Sequence, residues 1–157
     1  MQIVTQKIAP CLWFDTEAEE AAKFYVSVFK NSKINTVARY RTKARRSTAS
    51  RQARSWSSIS RSQGKKFVAL NGGPQFTFDE AVSFQVYCES QDEVDYFWSR
   101  LTEGGKEGPC GWLKDRFGLS WQVVPVALLE MMLDRDASKS ARVMDAFMQM
   151  KKFDIRR

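Results

Sequence analysis

The chain has 157 residues, 43% hydrophobic and 13% aromatic, enough to bury a core and too apolar for a disordered chain. It contains no histidine, which excludes every triad, facial triad or zinc site built on an imidazole. The formal charge is +7, yet 13 of the 25 basic residues lie between Ala21 and Phe78, where no acidic residue occurs, leaving 12 basic against 18 acidic residues elsewhere, a net of −6.

Residues 1–10 lack a signal-peptide core, and no apolar run reaches the roughly 20 residues of a membrane span. Three cysteines (Cys11, Cys88, Cys110) stand in no CxxC or zinc-ligand spacing. A disulfide framework is therefore not expected, and a soluble protein of the reducing cytoplasm without membrane partners is. Ile8 to Phe14 is a strand-like apolar run ending at Asp15. Thr16-Glu17-Ala18-Glu19 has the form of a capping box, Thr16 accepting from a free amide while Glu19 reaches back. Ala18, Ala21, Ala22, Tyr25, Val28 and Phe29 follow at helical spacing. Asn31-Ser32 breaks that helix, and Ile34 to Tyr40 reads as a strand.

The same grammar returns downstream. Val82, Phe84, Val86 and Cys88 alternate with Ser83, Gln85 and Tyr87, the mark of a half-buried strand. Ser90-Gln91-Asp92-Glu93 is a second capping box, Val94, Phe97, Trp98 and Leu101 form an apolar stripe, and Gly104-Gly105 ends the helix. Gly111 to Arg116 and Leu119 to Val124 read as strands. A unit of about 60–75 residues thus occurs twice. Beyond Pro125 two helices are expected, with stripes at Leu128, Leu129, Met132 and Leu133 and at Ala141, Met144, Phe147 and Met148. Such methionine-rich stripes point to core or dimer contact before any cofactor.

Four stretches carry a family resemblance: Ile8-Ala9-Pro10-Cys11-Leu12-Trp13-Phe14-Asp15, Leu70-Asn71-Gly72-Gly73-Pro74, Ser83-Phe84-Gln85-Val86, and the run from Cys110 to Val123 (CGWLKDRFGLSWQV). Over residues 7–40 and 64–155 the chain resembles the PhnB-like branch of the vicinal oxygen chelate superfamily. That superfamily includes glyoxalase I, bleomycin-resistance proteins and extradiol dioxygenases. Members of this branch often bear the name 3-demethylubiquinone-9 3-methyltransferase, but no glycine-rich loop for S-adenosylmethionine is seen in this chain. The resemblance implies an α+β fold of tandem βαβββ modules, each curling a sheet into an open cup. It implies one such domain over 1–157 (module one 7–74, module two 80–125, C-terminal helices 126–150), assembled as a homodimer. In metal-using relatives, inward His and Glu side chains hold one divalent cation. Gln122 stands at or near the position of a Glu ligand, and a hard divalent site built without charge is weak. No metal and no other cofactor is therefore expected.

If the helices cover one side of each sheet, period-2 alternation assigns the cup side. It receives Ser83, Gln85 and Tyr87 from one strand, Phe67, Ala69 and Asn71 from another, and Ser120, Gln122 and Val124 from the last. Gln85, Gln122 and Asn71 then converge as neutral donors and acceptors, with an aromatic wall from Trp13 or Trp112, a small-molecule pocket of apolar walls and few polar groups. Satisfied structural amides are the competing reading for the same three residues. Lys114-Asp115-Arg116 reads as a solvated turn with an ion pair. Cys110 has no base to activate it and is not expected to be catalytic.

Arg41 to Ser62 breaks the pattern. Its 22 residues include six Arg and seven Ser, with Trp56 and Ile59 the only large apolar residues. Three readings are open: an arginine–serine loop on nucleic-acid phosphate, a disordered insertion, or a stretch read out of frame between two compensating indels. The abrupt loss and recovery of the pattern favour the third. If residues here form a strand, Trp56 and Ile59 are its expected inward contacts. Function is thus expected to be small-molecule binding without a catalytic metal. A metal-dependent lyase, dioxygenase or transferase of the superfamily and a nucleic-acid binder through 41–62 are the alternatives, and nucleic acid is the weaker of the two.

Overall fold

The computed structural model describes residues 7–39, 55–60 and 65–156, with backbone alone for residue 39 and for 55–60. The chain divides into two compact units, 1–77 and 78–157. Each repeats the order strand, helix, three strands, and the second continues into two further helices.

In the first unit, β1 (Cys11–Phe14), α1 (Ala18–Val28), β2 (Lys33–Arg39), β3 (Ser55–Ser60) and β4 (Lys66–Asn71) build a sheet of order β1-β4-β3-β2. β1 and β4 run parallel, and the other pairs are antiparallel. The expected helical stripe is the packing face: Ala18, Ala21, Ala22, Tyr25, Val28 and Phe29 are all buried, together with Phe24. Three alanines on one face let the helix axis approach the sheet closely, where Leu12, Phe14 and Ala69 are buried. Asn31 adopts φ 59°, the left-handed turn that stops α1. Backbone 55–60 supplies the strand between β2 and β4, with Trp56 opposite Leu70 and Ile59 opposite Phe67. The remainder of the 41–62 segment, and with it the phosphate-binding, insertion and out-of-frame readings, lies outside the described residues.

The Thr16 capping box does not form. Helix α1 starts two residues later, with Glu17 at the cap position and no side-chain cap of its own. The free amide of Ala18 donates instead to Asn71 Oδ1 at 2.8 Å, from 53 residues away. A buried amide left without a partner would cost about 1–3 kcal/mol, and the strand end delivers an acceptor that the local sequence does not.

In the second unit, β5 (Ser83–Cys88), α2 (Gln91–Thr102), β6 (Lys106–Glu107), β7 (Trp112–Lys114) and β8 (Ser120–Pro125) form a sheet of order β5-β8-β7-β6, again with first and last strands parallel. Here the cap is local, as expected. Ser90 Oγ accepts from the Glu93 amide at 3.3 Å, and Glu93 reaches back to the Glu89 amide at 2.7 Å. Val94, Trp98 and Leu101 bury against the sheet face that carries Val86, Cys88, Leu113, Trp121 and Val123. Gly104, at φ 73°, ends the helix.

Two helices follow, α3 (Val126–Met132) and α4 (Ala137–Met148), the second capped by Asp136, which accepts from the amides of Ser138 and Lys139. No residue of α4 is fully buried, so the stripe at Ala141, Met144, Phe147 and Met148 is not core. The chain is tied back by its last residues. The amides of Cys110 and Gly111 donate to Met150 and Lys151 carbonyls at 2.7 Å each, and Phe153 is buried over Gly111. A Cβ on Gly111 would lie 2.5 Å from the Phe153 ring, and φ there is +76°, so only glycine suits the position. No helix among the described residues is long and apolar enough to cross a membrane.

Candidate functional site

Register assigns each strand residue to one side of its sheet. In the second unit Gln85 stands opposite Gln122, and Gln122 opposite Trp112 on its other flank. All three therefore share the face turned away from α2, with Ser83 and Tyr87 above and below Gln85 on β5. The side chains form one hydrogen-bonded chain. Gln122 Nε2 donates to Ser83 Oγ at 2.8 Å, Gln85 Nε2 donates to Gln122 Oε1 at 3.2 Å, and Tyr87 Oη donates to Gln85 Oε1. Gln85 and Tyr87 are exposed, while Gln122 and Trp112 are half-buried. Ser83 and Tyr87, which alternation had placed on this side without assigning them a contact, complete the network.

The edges of this face are fixed. Ser120 is fully buried and donates to the Asp79 carbonyl at 3.2 Å, and Val124 is buried as well. Of the three β8 residues expected to line the cup, only Gln122 is therefore accessible. Lys114, on the same side as Gln122 by register, pairs with Glu80 at 2.8 Å. The hydrogen bond from Lys114 holds the Glu80 carboxyl below the ordinary carboxylate range. The face thus offers neutral amides and hydroxyls at its centre, an indole beside them, and a neutralised ion pair at its rim.

Asp115 does not follow the reading of a solvated turn. It is 2% exposed, and Oδ1 accepts from the amides of Phe117 and Leu119 at 2.9 and 3.1 Å, while Oδ2 accepts from the Trp121 indole at 2.8 Å. Its role is to close the β7–β8 turn and fix the opposite, helix-covered face of β8. Arg116 points elsewhere, 3.6 Å from Glu103. Cys110 sits at φ 54° in the turn before Gly111, its Sγ 3.8 Å from the Met148 carbonyl and 3.9 Å from the Met148 sulfur.

The first unit distributes its residues differently. Asn71 pairs with Phe14 and lies on the α1 side of the sheet, 8% exposed, with Oδ1 on the Ala18 amide. The expectation that Asn71 faces the cup is thereby corrected: register with β1 puts Leu12, Phe14, Ala69 and Asn71 on one buried side. The opposite side carries Cys11, Trp13, Val68 and Leu70. Trp13 is half-buried, donates through its indole to the Gly73 carbonyl at 2.9 Å, and meets Phe76 edge-on at 5.1 Å. It lies flat against Gly72, where a Cβ would fall 2.1 Å from the indole ring. The Asn71-Gly72-Gly73 turn is therefore shaped around Trp13, a packing reason for that motif beyond turn chemistry.

With the geometry in place, comparison with known proteins decides the lineage. The family model described as 3-demethylubiquinone-9 3-methyltransferase matches residues 6–124. The chain belongs to that family. Within it, the chain is similar to a putative 3-demethylubiquinone-9 3-methyltransferase, a PhnB protein from Bacillus cereus, at 29% identity and a TM-score of 0.65, covering 77% of this chain and 100% of that one. A Pseudomonas aeruginosa protein matches at 19% identity and a TM-score of 0.60, over 77% of this chain and 98% of that one. The fosfomycin resistance protein FosX from Listeria monocytogenes matches at 14% identity and a TM-score of 0.54, over 85% and 100%. No curated protein matches. The neighbours give this 3-demethylubiquinone-9 3-methyltransferase-family chain the fold of a glyoxalase/bleomycin-resistance domain.

The donor set of this family member can be tested against the superfamily's cation. The chain has no histidine, and among the described residues no three His, Cys, Asp or Glu side chains gather into a group that could hold a metal. At the centre of the face the Gln122 carbonyl already accepts from Gln85, and its amide donates to Ser83. A neutral amide committed at both ends does not replace an anionic ligand to a hard cation. These residues do not fit a divalent metal.

Proposed function

We propose that this 3-demethylubiquinone-9 3-methyltransferase-family protein binds a small molecule on the helix-free face of its second sheet, without a catalytic metal. One observation carries the proposal: the Ser83–Gln122–Gln85–Tyr87 chain, with Trp112 beside it, on the side of the sheet turned away from α2, where Gln85 and Tyr87 are exposed. Amides and hydroxyls that bond one another on an accessible face can exchange those partners for a ligand's at little cost, because neither state leaves a polar group unpaired. The indole supplies flat apolar area, and the amides supply both donor and acceptor. This suits an uncharged or weakly charged organic molecule with a flat part and adjacent oxygens. Asn71, which caps α1 within the first unit, is withdrawn from the site. The proposal includes a homodimer in the cytoplasm, which light scattering on the purified protein checks.

The test is a thermal-shift screen of small oxygen-bearing organic compounds, run in parallel with EDTA and with Mn(II), on protein whose metal content has been measured. The proposal expects substoichiometric metal and stabilising compounds whose effect survives EDTA and is lost in Gln85→Ala. Stabilisation that appears only with Mn(II) would establish the metal-dependent enzyme instead.

A further inference from the structure

A second concave site lies in the second unit and shares no residue with the face just described. Between α3, α4 and the last residues of the chain is a cavity of about 450 Å³, within the range that takes small ligands. Its floor is apolar: Met131 from α3, Val143 and Phe147 one turn apart on α4, then Met150 and Ile155. Three cations stand around it, Lys139, Arg142 and Arg156, against one lining carboxylate, Asp154.

These charges are not equally available. Lys139 is held by Asp134 at 2.6 Å, and Arg156 lies 3.7 Å from Asp154. Arg142 has no ion-pair partner among the described residues and keeps its guanidinium donors for another acceptor. The wall formed by the last residues is fixed before anything binds. Gln91 donates to the Phe153 carbonyl at 3.0 Å and accepts from the Ile155 amide at 2.8 Å, while Lys152 pairs with Asp95 at 2.6 Å. A pre-formed wall removes part of the ordering cost of binding. On the other side, no residue of α4 is fully buried, and Phe147, which meets the Phe153 ring edge-on at 5.0 Å, stays half-buried and lines the cavity.

We infer that this cavity binds a small amphiphilic carboxylate, its apolar body on Met131, Phe147 and Ile155 and its head group on Arg142. The unpaired Arg142 disfavours an amine ligand, and an apolar floor gives a sugar little to bond. A planar carboxylate matches the guanidinium fork. The cavity volume suits an alkyl chain of about ten carbons or an aryl group of similar bulk.

Methionine placement makes the test direct, since five of the six methionines lie between residues 131 and 150. Full-length protein carrying ¹³C-methyl methionine is titrated with decanoate and, separately, with decanol. The inference expects saturable shifts at Met131 and Met150 that exceed those at Met144, with decanol binding at least about fivefold more weakly. Arg142→Gln, an exposed position with no partner to lose, should weaken decanoate by about fivefold and leave decanol unchanged. Equal binding of the acid and the alcohol, or even shifts across Met132, Met144 and Met148, would overturn it. So would perturbation of the exposed Met144 and Met148 by phosphatidylglycerol vesicles with no decanoate response at Met131 and Met150, which would make α4 a membrane-surface helix.

Discussion

The two units solve one topological problem with opposite use of polarity. Both place parallel first and last strands at one edge of a four-stranded sheet and lay a helix across one side. Counting back from the strand ends, Cys11 and Val68 of the first unit stand where Gln85 and Gln122 stand in the second. On the parallel pair β1–β4 the first unit carries Cys11, Trp13, Val68 and Leu70 on its helix-free side, and it places the buried amide of Asn71 beneath the helix. The second is polar on its helix-free side and apolar beneath the helix. The difference shows that the scaffold fixes positions, while the residue at each position decides whether the position supports the fold or offers chemistry.

The largest contrast is expected between thiols. Burial, helped by the Glu93 charge, pushes the Cys88 thiol up to about 12, and the side chain is fully buried. Cys11 is exposed. At pH 8 iodoacetamide should label Cys11 at least about a thousandfold faster than Cys88, which reacts only through unfolding. Because the folded state keeps the Cys88 proton longer, its contribution to stability is complete below pH 9 and is lost as pH rises toward 12. Urea midpoints of wild type and Cys88→Ala across that range check the sign.

Next in size is Asp115→Ala, which strips the acceptor from two amides and an indole and should cost about 4 kcal/mol by urea unfolding. Asn71→Ala should cost about 2 kcal/mol, since it orphans the Ala18 amide. A cost under about 0.5 kcal/mol would remove Asn71 as the cap of α1. Smaller again is Ser90→Ala, about 1 kcal/mol, while Thr16→Ala should change stability little, because α1 does not use that hydroxyl. The pair of caps thus separates a helix started by its own sequence from one started by a distant strand.

These contrasts also mark what could be read from the residues. The alternation in Ser83 to Cys88 identified its two sides because polar and apolar residues take turns there. Phe67-Val68-Ala69-Leu70 has no such alternation, so the side taken by Asn71 depends on pairing with Phe14, a fact of register and not of local pattern. Thr16 had the right spacing for a cap and lost to an acceptor 53 residues away. Asp115, between Lys114 and Arg116, looked solvated because charge neighbours charge; its partner Trp121 lies across a turn. The Ser90 cap and both helical stripes beneath the sheets were legible because they depend on neighbours within one or two turns.

The most direct test of the central claim uses the side-chain amide signals of Gln85 and Gln122. In ¹⁵N-labelled protein with EDTA present, a compound from the thermal-shift screen should move both signals together. Gln122→Val, which gives the second unit the residue that the first carries at Val68, should abolish that binding while changing stability by less than about 1 kcal/mol. Binding that needs Mn(II), or that leaves both amides unmoved, would contradict a metal-free ligand site on this face.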